Sequence, residues 1–329
     1  MLRYILRRIL ANSVNLIAIS ILAFWLVAIS GDPLASLRLN PKIPKSTIEL
    51  RIHQLHLDKG LAERYWIWLH GVIHGDFGIS TSLNQPVGAS FTSHFVVTLR
   101  MIIGATVLAI IVAVVTGVVA ALRRGKVTDR AITFSNFVFL AVPTFVLALF
   151  LKLYVAGPIN QHLGSPGNPL IPVSLDQNPT ATGGFFQRLP DYASHMILPT
   201  ITLTLVTYAS WSLYQRSQVL EALDMDHVRL AKSKGLSSRR VLTHHVLRNA
   251  LIPVVTVVAL DFAGLLGGAI ITENVFSWNG LGSWFINGVN AQDVNLTLAY
   301  VMVTALFVVM FNLLADVMYA VLDPRIKYD

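Results

Sequence analysis

Asp226-His-Val-Arg-Leu-Ala231-Lys-Ser-Lys-Gly235-Leu-Ser-Ser-Arg-Arg240-Val-Leu-Thr-His-His245-Val-Leu-Arg248 is a basic, polar stretch set between two long apolar runs, about Met196–Val219 and Pro253–Ile271. Gly235 suits the left-handed residue that ends a helix, and Lys232 and Lys234 fall in the last turn, where cations are favoured by the helix dipole. Ser237 or Ser238 can cap a second helix running toward Asn249. A compact helix–glycine–helix wedged between two membrane spans reads as a docking element for a soluble partner on that side.

The rest of the chain makes the membrane setting unavoidable. Of its 329 residues 54% are apolar and only 13% charged, which excludes an ordinary soluble domain. Crossing the hydrocarbon core takes roughly 20 predominantly apolar residues. Six stretches qualify: about Ile9–Ile29, Phe95–Leu122, Ala131–Ala156, Met196–Val219, Pro253–Ile271 and Leu296–Leu322. Pro143, Pro199 and Arg100 stand within or at the edge of these spans, where a proline is expected to kink a helix without ending it.

Orientation follows from the basic residues. With the N-terminus inside, the inner segments hold Arg3, Arg7 and Arg8, the loop Arg123–Arg130, the run from Arg216 to Arg248, and Arg325 with Lys327, together 16 of the 25 Lys and Arg. The expectation is an all-α polytopic protein of six transmembrane helices with both termini cytoplasmic, in a bacterial cell membrane. The net charge of +8 then reports orientation; its scatter over short loops gives no nucleic-acid footprint. The first apolar run is longer than a signal-peptide core and lacks an Ala-x-Ala site, so it reads as an uncleaved span. The chain has no cysteine, which removes disulfides, thiolate metal sites and cysteine nucleophiles.

The expected organisation is a transmembrane helix over 1–30, an external helical segment over 31–94, a five-helix core over 95–323 with the inner loop at 220–250, and a cytoplasmic tail over 324–329. In the external segment Ser46-Thr-Ile-Glu49 fits a capping box, and Leu61–Val72 reads as an amphipathic helix rich in Trp and Tyr, suited to the membrane boundary. The proline-rich Gly157–Ser194 reads as an irregular loop. Glu273–Asn295 looks like a turn into a short re-entrant or surface helix.

At this point a resemblance becomes specific. The inner loop is similar to the coupling loop of binding-protein-dependent ABC importer permeases, in the oligopeptide/dipeptide/nickel branch. The general Glu-Ala-Ala positions fall on Arg229, Leu230 and Ala231, with the family glycine at Gly235; the branch's own form, Arg-x-Ala-x-x-Lys-Gly-Leu followed by His-x-Leu-Arg-Asn-Ala-x-x-Pro, matches from Arg229 to Pro253. Gly31-Asp-Pro33, Gly75-Asp-Phe-Gly78, Gln85-Pro-Val87, Ala120-Ala-Leu-Arg123-Arg-Gly125 with Asp129-Arg130, Pro143-Thr-Phe145, Leu198-Pro199, Gly264-Leu-Leu-Gly-Gly268, Glu273-Asn-Val-Phe276 and the ending Asp316 to Arg325 resemble that family in order and spacing.

The resemblance implies a type I ABC importer permease fold and half of a translocation pathway for di- or oligopeptides. It also implies partners: a homologous second permease, two ATP-binding subunits or domains, and an extracytoplasmic substrate-binding protein, all in a lipid membrane. It assigns ATPase docking to Arg229, Ala231, Lys234, Gly235, Leu236, Arg239, Arg240, His245 and Arg248. No phosphate-binding Gly-x4-Gly-Lys-Ser/Thr loop is present, so ATP hydrolysis is expected in other subunits. No cofactor, metal or catalytic residue is called for: His227, His244 and His245 lack ligand spacing, and nothing assembles a nucleophile, base and oxyanion donor.

Asp261, deep in the fifth span, costs roughly 2.5–3.5 kcal/mol to insert and therefore faces either the substrate path or a hydrogen-bonding neighbour helix. Gly264, Gly267 and Gly268 permit close helix packing. An ion-coupled secondary transporter is the alternative reading. It would need charged residues in several spans and inverted repeats, and the sequence shows one deep charge and no repeat.

Overall fold

The computed structural model describes residues 2–39, 41–164, 169–180 and 182–322; the expected tail at 324–329 lies outside them. Helices follow one another in the order α1 (Leu2–Ile29), α2 (Ala35–Arg38), α3 (Lys45–Gln54), α4 (Leu61–Ile73), α5 (Val87–Leu122), α6 (Val127–Ala141), α7 (Thr144–Phe150), α8 (Gly157–Leu163), α9 (Phe185–Leu223), α10 (Asp226–Ser233), α11 (Ser238–Val241), α12 (Leu247–Val275), α13 (Leu281–Asn290) and α14 (Val294–Leu322). Single π-helical turns at Leu151–Ala156 and Leu242–Val246 join α7 to α8 and α11 to α12. Among the described residues six helical stretches are long and apolar enough to cross a membrane: Arg7–Ile29, Val87–Leu122, Thr144–Leu163, Phe186–Leu223, Ser238–Gly267 and Val294–Val317. With no water in the bilayer core, helices satisfy their own backbone groups and so carry the chain across.

The chain forms two compact units. One comprises residues 1–97 and 280–309. Here Phe24 of α1 packs on Tyr65 and Trp68 of α4 at 5.5 and 5.7 Å between ring centres, and the Ser20 and Tyr65 hydroxyls lie 2.8 Å apart. Helix α4 occupies the expected amphipathic stretch. Helix α3 also forms where expected but begins at Lys45 behind Pro44, with no side-chain cap among the described residues. Ser46 therefore lies inside the first turn, and the expected capping box does not form. Asp293, fully buried, caps α14 through the Leu296 N–H at 3.2 Å and accepts from the Ser80 and Ser82 hydroxyls at 2.6 and 2.8 Å.

The second unit comprises residues 98–279 and the described chain from Met310. In it α9 runs along α12, α7 packs against both and α6 packs against α9. The third span is displaced from its expected position. Helix α6 ends at Ala141, Val142 is extended (ψ 123°), and α7 starts after Pro143, so Thr144–Leu163 is the membrane-length stretch and Ala131–Ala156 is not one helix. Pro143 has no N–H to offer Phe139 and biases Val142 away from helical backbone. Pro199 and Pro253, by contrast, remain inside α9 and α12. Helices α8 and α9 also shorten the irregular region that the prolines suggested for Gly157–Ser194.

Close helix approach occurs at a glycine that the sequence did not mark. A Cβ on Gly117 of α5 would stand 2.8 Å from both the Ser212 carbonyl oxygen and the Gln215 Cβ of α9. Gly264 and Gly267 meet nothing within 4 Å among the described residues, so the close packing expected of them is not made among those residues. Gly117→Ala should destabilise the purified protein by about 1–3 kcal/mol, the usual cost of overpacking, whereas Gly264→Ala should be close to neutral. Thermal unfolding in detergent reads both, and equal melting temperatures for the two variants would contradict the packing described.

Candidate functional site

The basic segment 226–248 is a closed, packed element. Helix α10 carries Asp226 in its first turn and Lys232 in its last, the arrangement the helix dipole favours. Its end is a Schellman motif: the Gly235 N–H donates to the Lys232 carbonyl at 3.0 Å, and the Leu236 N–H reaches back to the Ala231 carbonyl at 3.4 Å. Gly235 has φ +76°, a conformation that costs an L-residue roughly 1–2 kcal/mol. Leu236 and Ala231 share the apolar cluster beneath the turn, the hydrophobic contact that accompanies this cap.

That cluster sorts the site residues into two faces. Val228 and Ala231 of α10 pack with Val219 and Ala222 from the end of α9, with Val241, Val246 and Ala250 after the turn, and with Ala121 of α5. Ala231 and Leu236, assigned to docking by resemblance, thus face inward and hold the element together; their contribution to a docking surface is indirect. Arg229, Lys234, Arg239, Arg240 and Arg248 are exposed, and His245 is half-buried. The exposed face also contains Leu230, 56% exposed, which residue-by-residue reading passed over. Its signal was its place between Arg229 and the inward Ala231.

The segment after Ser237 differs from expectation in two ways. Ser237 stands at the N-cap of α11 without a side-chain bond, and the helix does not stop near Asn249 but continues through α12. The exposed basic face is therefore joined to the fifth span through helical backbone, by way of the π turn Leu242–Val246. A cross-link reinforces it: Asn249 Nδ2 lies 3.0 Å from His227 Nε2 and donates to the His245 carbonyl at 3.2 Å.

A polar ladder leads from this element into the bundle. Arg216, two turns before the end of α9, forks onto Asp129 at the start of α6: Nε to Oδ1 at 2.7 Å and Nη2 to Oδ2 at 3.0 Å. The Gly125 N–H adds a third donor at 2.9 Å. The Arg216 hydrogen bond is the main reason the Asp129 carboxyl is held down to about 2, opposed by burial and helped by Gly125. Farther along, Asn136 Nδ2 donates to the Ser212 hydroxyl at 3.0 Å, which lies 2.8 Å from the Thr116 hydroxyl. Helices α5, α6 and α9 are thereby keyed together.

Asp261 accepts the Trp211 indole N–H at 2.7 Å through Oδ2, so the helix–helix hydrogen bond weighed for it is present between α12 and α9. The residue is otherwise exposed. At the far end of the same unit Arg100 pairs with Asp176 at 2.7 Å and lies over the rings of Tyr192 and Trp278 at 4.6 and 5.3 Å. This fastens the segment before α9 to α5, a role its composition did not signal.

Residues 113–328 match the family described as the binding-protein-dependent transport system inner membrane component, and residues 1–103 match its N-terminal counterpart. The chain is 37% identical to the oligopeptide transport system permease protein OppB of Mycobacterium tuberculosis, covering 99% of each. It is 34% identical to the dipeptide transport system permease protein DppB of Escherichia coli, covering 100% of this chain and 99% of that one. A solved structure of the MetNI methionine ABC transporter in an inward-facing conformation aligns with 71% of this chain and 96% of its own, at a TM-score of 0.54 and 13% identity, which bears on the fold alone.

The depressed Asp129 carboxyl gives a signed expectation. Its folded value of about 2 lies below the ordinary 3.8, so the stability it contributes is complete above about pH 4 and is lost as pH falls toward 2. Asp129→Asn should be less stable than the parent at pH 7 and should flatten the stability–pH curve between about 4 and 2. An unchanged slope in thermal unfolding across that window would remove the pair from the account.

Proposed function

This chain belongs to the family of binding-protein-dependent transport system inner membrane components, and from that premise we propose its cargo, its partners and the face that engages them. It is a non-catalytic, multi-pass permease of a bacterial ABC importer, resident in the inner membrane. The cargo we propose is di- or oligopeptides, supported by full-length similarity to permeases named for both.

The observation that carries the mechanism is the two-faced α10. Its inward side is packed against the end of α9 and the start of α12, while its outward side presents Arg229 and Leu230, joined in the exposed basic face by Lys234 at its C-cap, Arg239 and Arg240 of α11 and Arg248 of α12. In this reading the outward face seats in a groove of an ATP-binding subunit on the cytoplasmic side. One such subunit acts on this chain and a second on a homologous permease that completes the pathway. Closure of the ATP-binding subunits displaces α10, and because its apolar side is buried against both long helices, α9 and α12 move with it. An extracytoplasmic binding protein delivers peptide to the segments on the opposite side. Asp261, with one oxygen tied to Trp211 and the residue otherwise open, lines the path and offers a carboxylate to a peptide ammonium group.

Charge reversal at Arg239→Glu together with Arg240→Glu, or Leu230→Asp alone, should abolish co-purification of the ATP-binding subunits and reduce peptide uptake at least tenfold, with membrane insertion unchanged. Ala231→Leu should fail differently, by disturbing the cluster and lowering the melting temperature. Retained ATPase-coupled uptake in the double charge reversal would dispose of the docking face. For Asp261→Asn the expectation is slower uptake of peptides with a free amino terminus and little change for N-acetylated ones; loss of both alike would leave only the structural bond to Trp211.

A further inference from the structure

A cavity of about 280 Å³, lined by residues between the first two spans and by Asn295, falls just under the roughly 300–1,000 Å³ common for small-molecule sites. Its charged lining is unbalanced in a particular way. Among the described residues the Arg64 side chain of α4 has no hydrogen-bond acceptor and no carboxylate partner, and its guanidinium lies over the Phe24 ring at 6.0 Å. Among the described residues the Arg51 side chain of α3 bonds only the neutral side-chain oxygens of Gln54, at 3.1 Å, and Asn84. Two guanidinium groups thus line one cavity, neither of them paired with a carboxylate among the described residues. Burial pushes the Arg64 guanidinium below its ordinary value without discharging it near neutral pH.

The remaining lining fits one class of molecule. Asp76 supplies a single carboxylate, which receives the Gly78 N–H at 2.8 Å and makes no ion pair among the described residues. Ile67, Trp68 and Phe77 provide an apolar and aromatic wall. The Trp68 indole N–H is buried with no acceptor, where a buried donor normally finds one. Two cations, one anion, aromatic surface and an unused donor within a few hundred cubic ångströms describe the complement of a small zwitterion with an apolar side chain. We propose that this cavity is a binding site for a short peptide with free termini, its α-carboxylate held by Arg64 and Arg51, its ammonium by Asp76, and an apolar side chain against Trp68 and Phe77. The proposal rests on the peptide reading and on the segment facing outward; it adds a place on the permease itself where cargo binds outside the membrane path.

The test uses the full chain in phosphatidylcholine nanodiscs, titrated calorimetrically with the tripeptide Ala-Phe-Ala, its C-terminal amide and its N-acetyl form. Glycerophosphoethanolamine is the lipid-headgroup control. The free tripeptide should bind and the amide should bind about tenfold or more weakly, the scale of a lost charge-assisted pair. Arg64→Gln should weaken the free peptide by a similar factor and the amide hardly at all; Asp76→Asn should act only against peptides with a free amino group. The amide comparison uses the unaltered chain, so misfolding of a variant does not rescue the idea. Equal binding of free acid and amide, no binding through the millimolar range, or tighter binding of glycerophosphoethanolamine would overturn it. Peptide uptake by cells lacking this gene, with and without the restored chain, separates the two readings. Gene-dependent uptake beside equal amide binding removes the cavity alone, and uptake indifferent to the gene removes the transport reading.

Discussion

The apolar cluster beneath α10 is the contact on which the working parts depend. Val219 and Ala222 close the end of α9, Val241, Val246 and Ala250 open the path into α12, and Val228 and Ala231 fill the gap between them. Val228 lies outside every membrane-length stretch, so the alternative to its burial is water, and a buried valine there is worth about 1.5–3 kcal/mol. Without it α10 would be a polar eight-residue helix, too short to persist alone. Its order is borrowed from the two long helices it joins, which is why its outward basic face has a fixed position at all.

Polar groups inside the bundle are arranged by the same economy of space. A membrane interior leaves no water for unpaired groups, and the second unit answers with pairs that also set register. Asn136 on Ser212 with Thr116, and Trp211 on Asp261, each join two or three helices, and Arg216 on Asp129 fastens α9 to α6 outside the membrane-length stretches of α5 and α7. Gly117 works with them: only without a Cβ can α5 come near enough to Ser212 for the Thr116 hydroxyl to reach it. Small residue and polar pair are thus two aspects of one helix contact.

Much of this was readable from the chain, for identifiable reasons. Apolar runs of membrane length are a one-dimensional signal, so the six spans could be counted, and Gly235 with flanking lysines announced a helix end because capping is local. What failed needed information from afar or a finer local balance. Pro143 and Pro199 look alike in sequence, yet one ends a helix and the other sits within one. Asp261 could be flagged as costly but not assigned, because Trp211 is 50 residues away. Gly117 gave no sign of its role, since Ser212 and Gln215 lie on another helix. Arg51, Arg64 and Asp76 belong to separate elements between α1 and α5, and no pattern in the chain joins them around one cavity.

The closed turn at Gly235 also says what kind of joint this is. A flexible loop between α10 and α11 would let a push on the basic face dissipate in loop motion. The Schellman bonds and the Leu236–Ala231 contact leave no slack there, and the Asn249–His227–His245 cross-link binds the two arms once more. Compliance must lie further along, where the regular ladder is already interrupted: at the π turn Leu242–Val246, which accommodates one extra residue, and at Pro253, which withholds a backbone donor inside α12. Under the proposed docking, force entering at Arg239 and Arg240 reaches α9 through packed side chains and reaches the first turn of α12 through Val246, Ala250 and Asn249, with Pro253 still to cross before the rest of α12. The two helices are therefore unequal receivers of the same displacement, and α9, which carries Arg216 and Trp211, is the one that transmits it to the rest of the bundle.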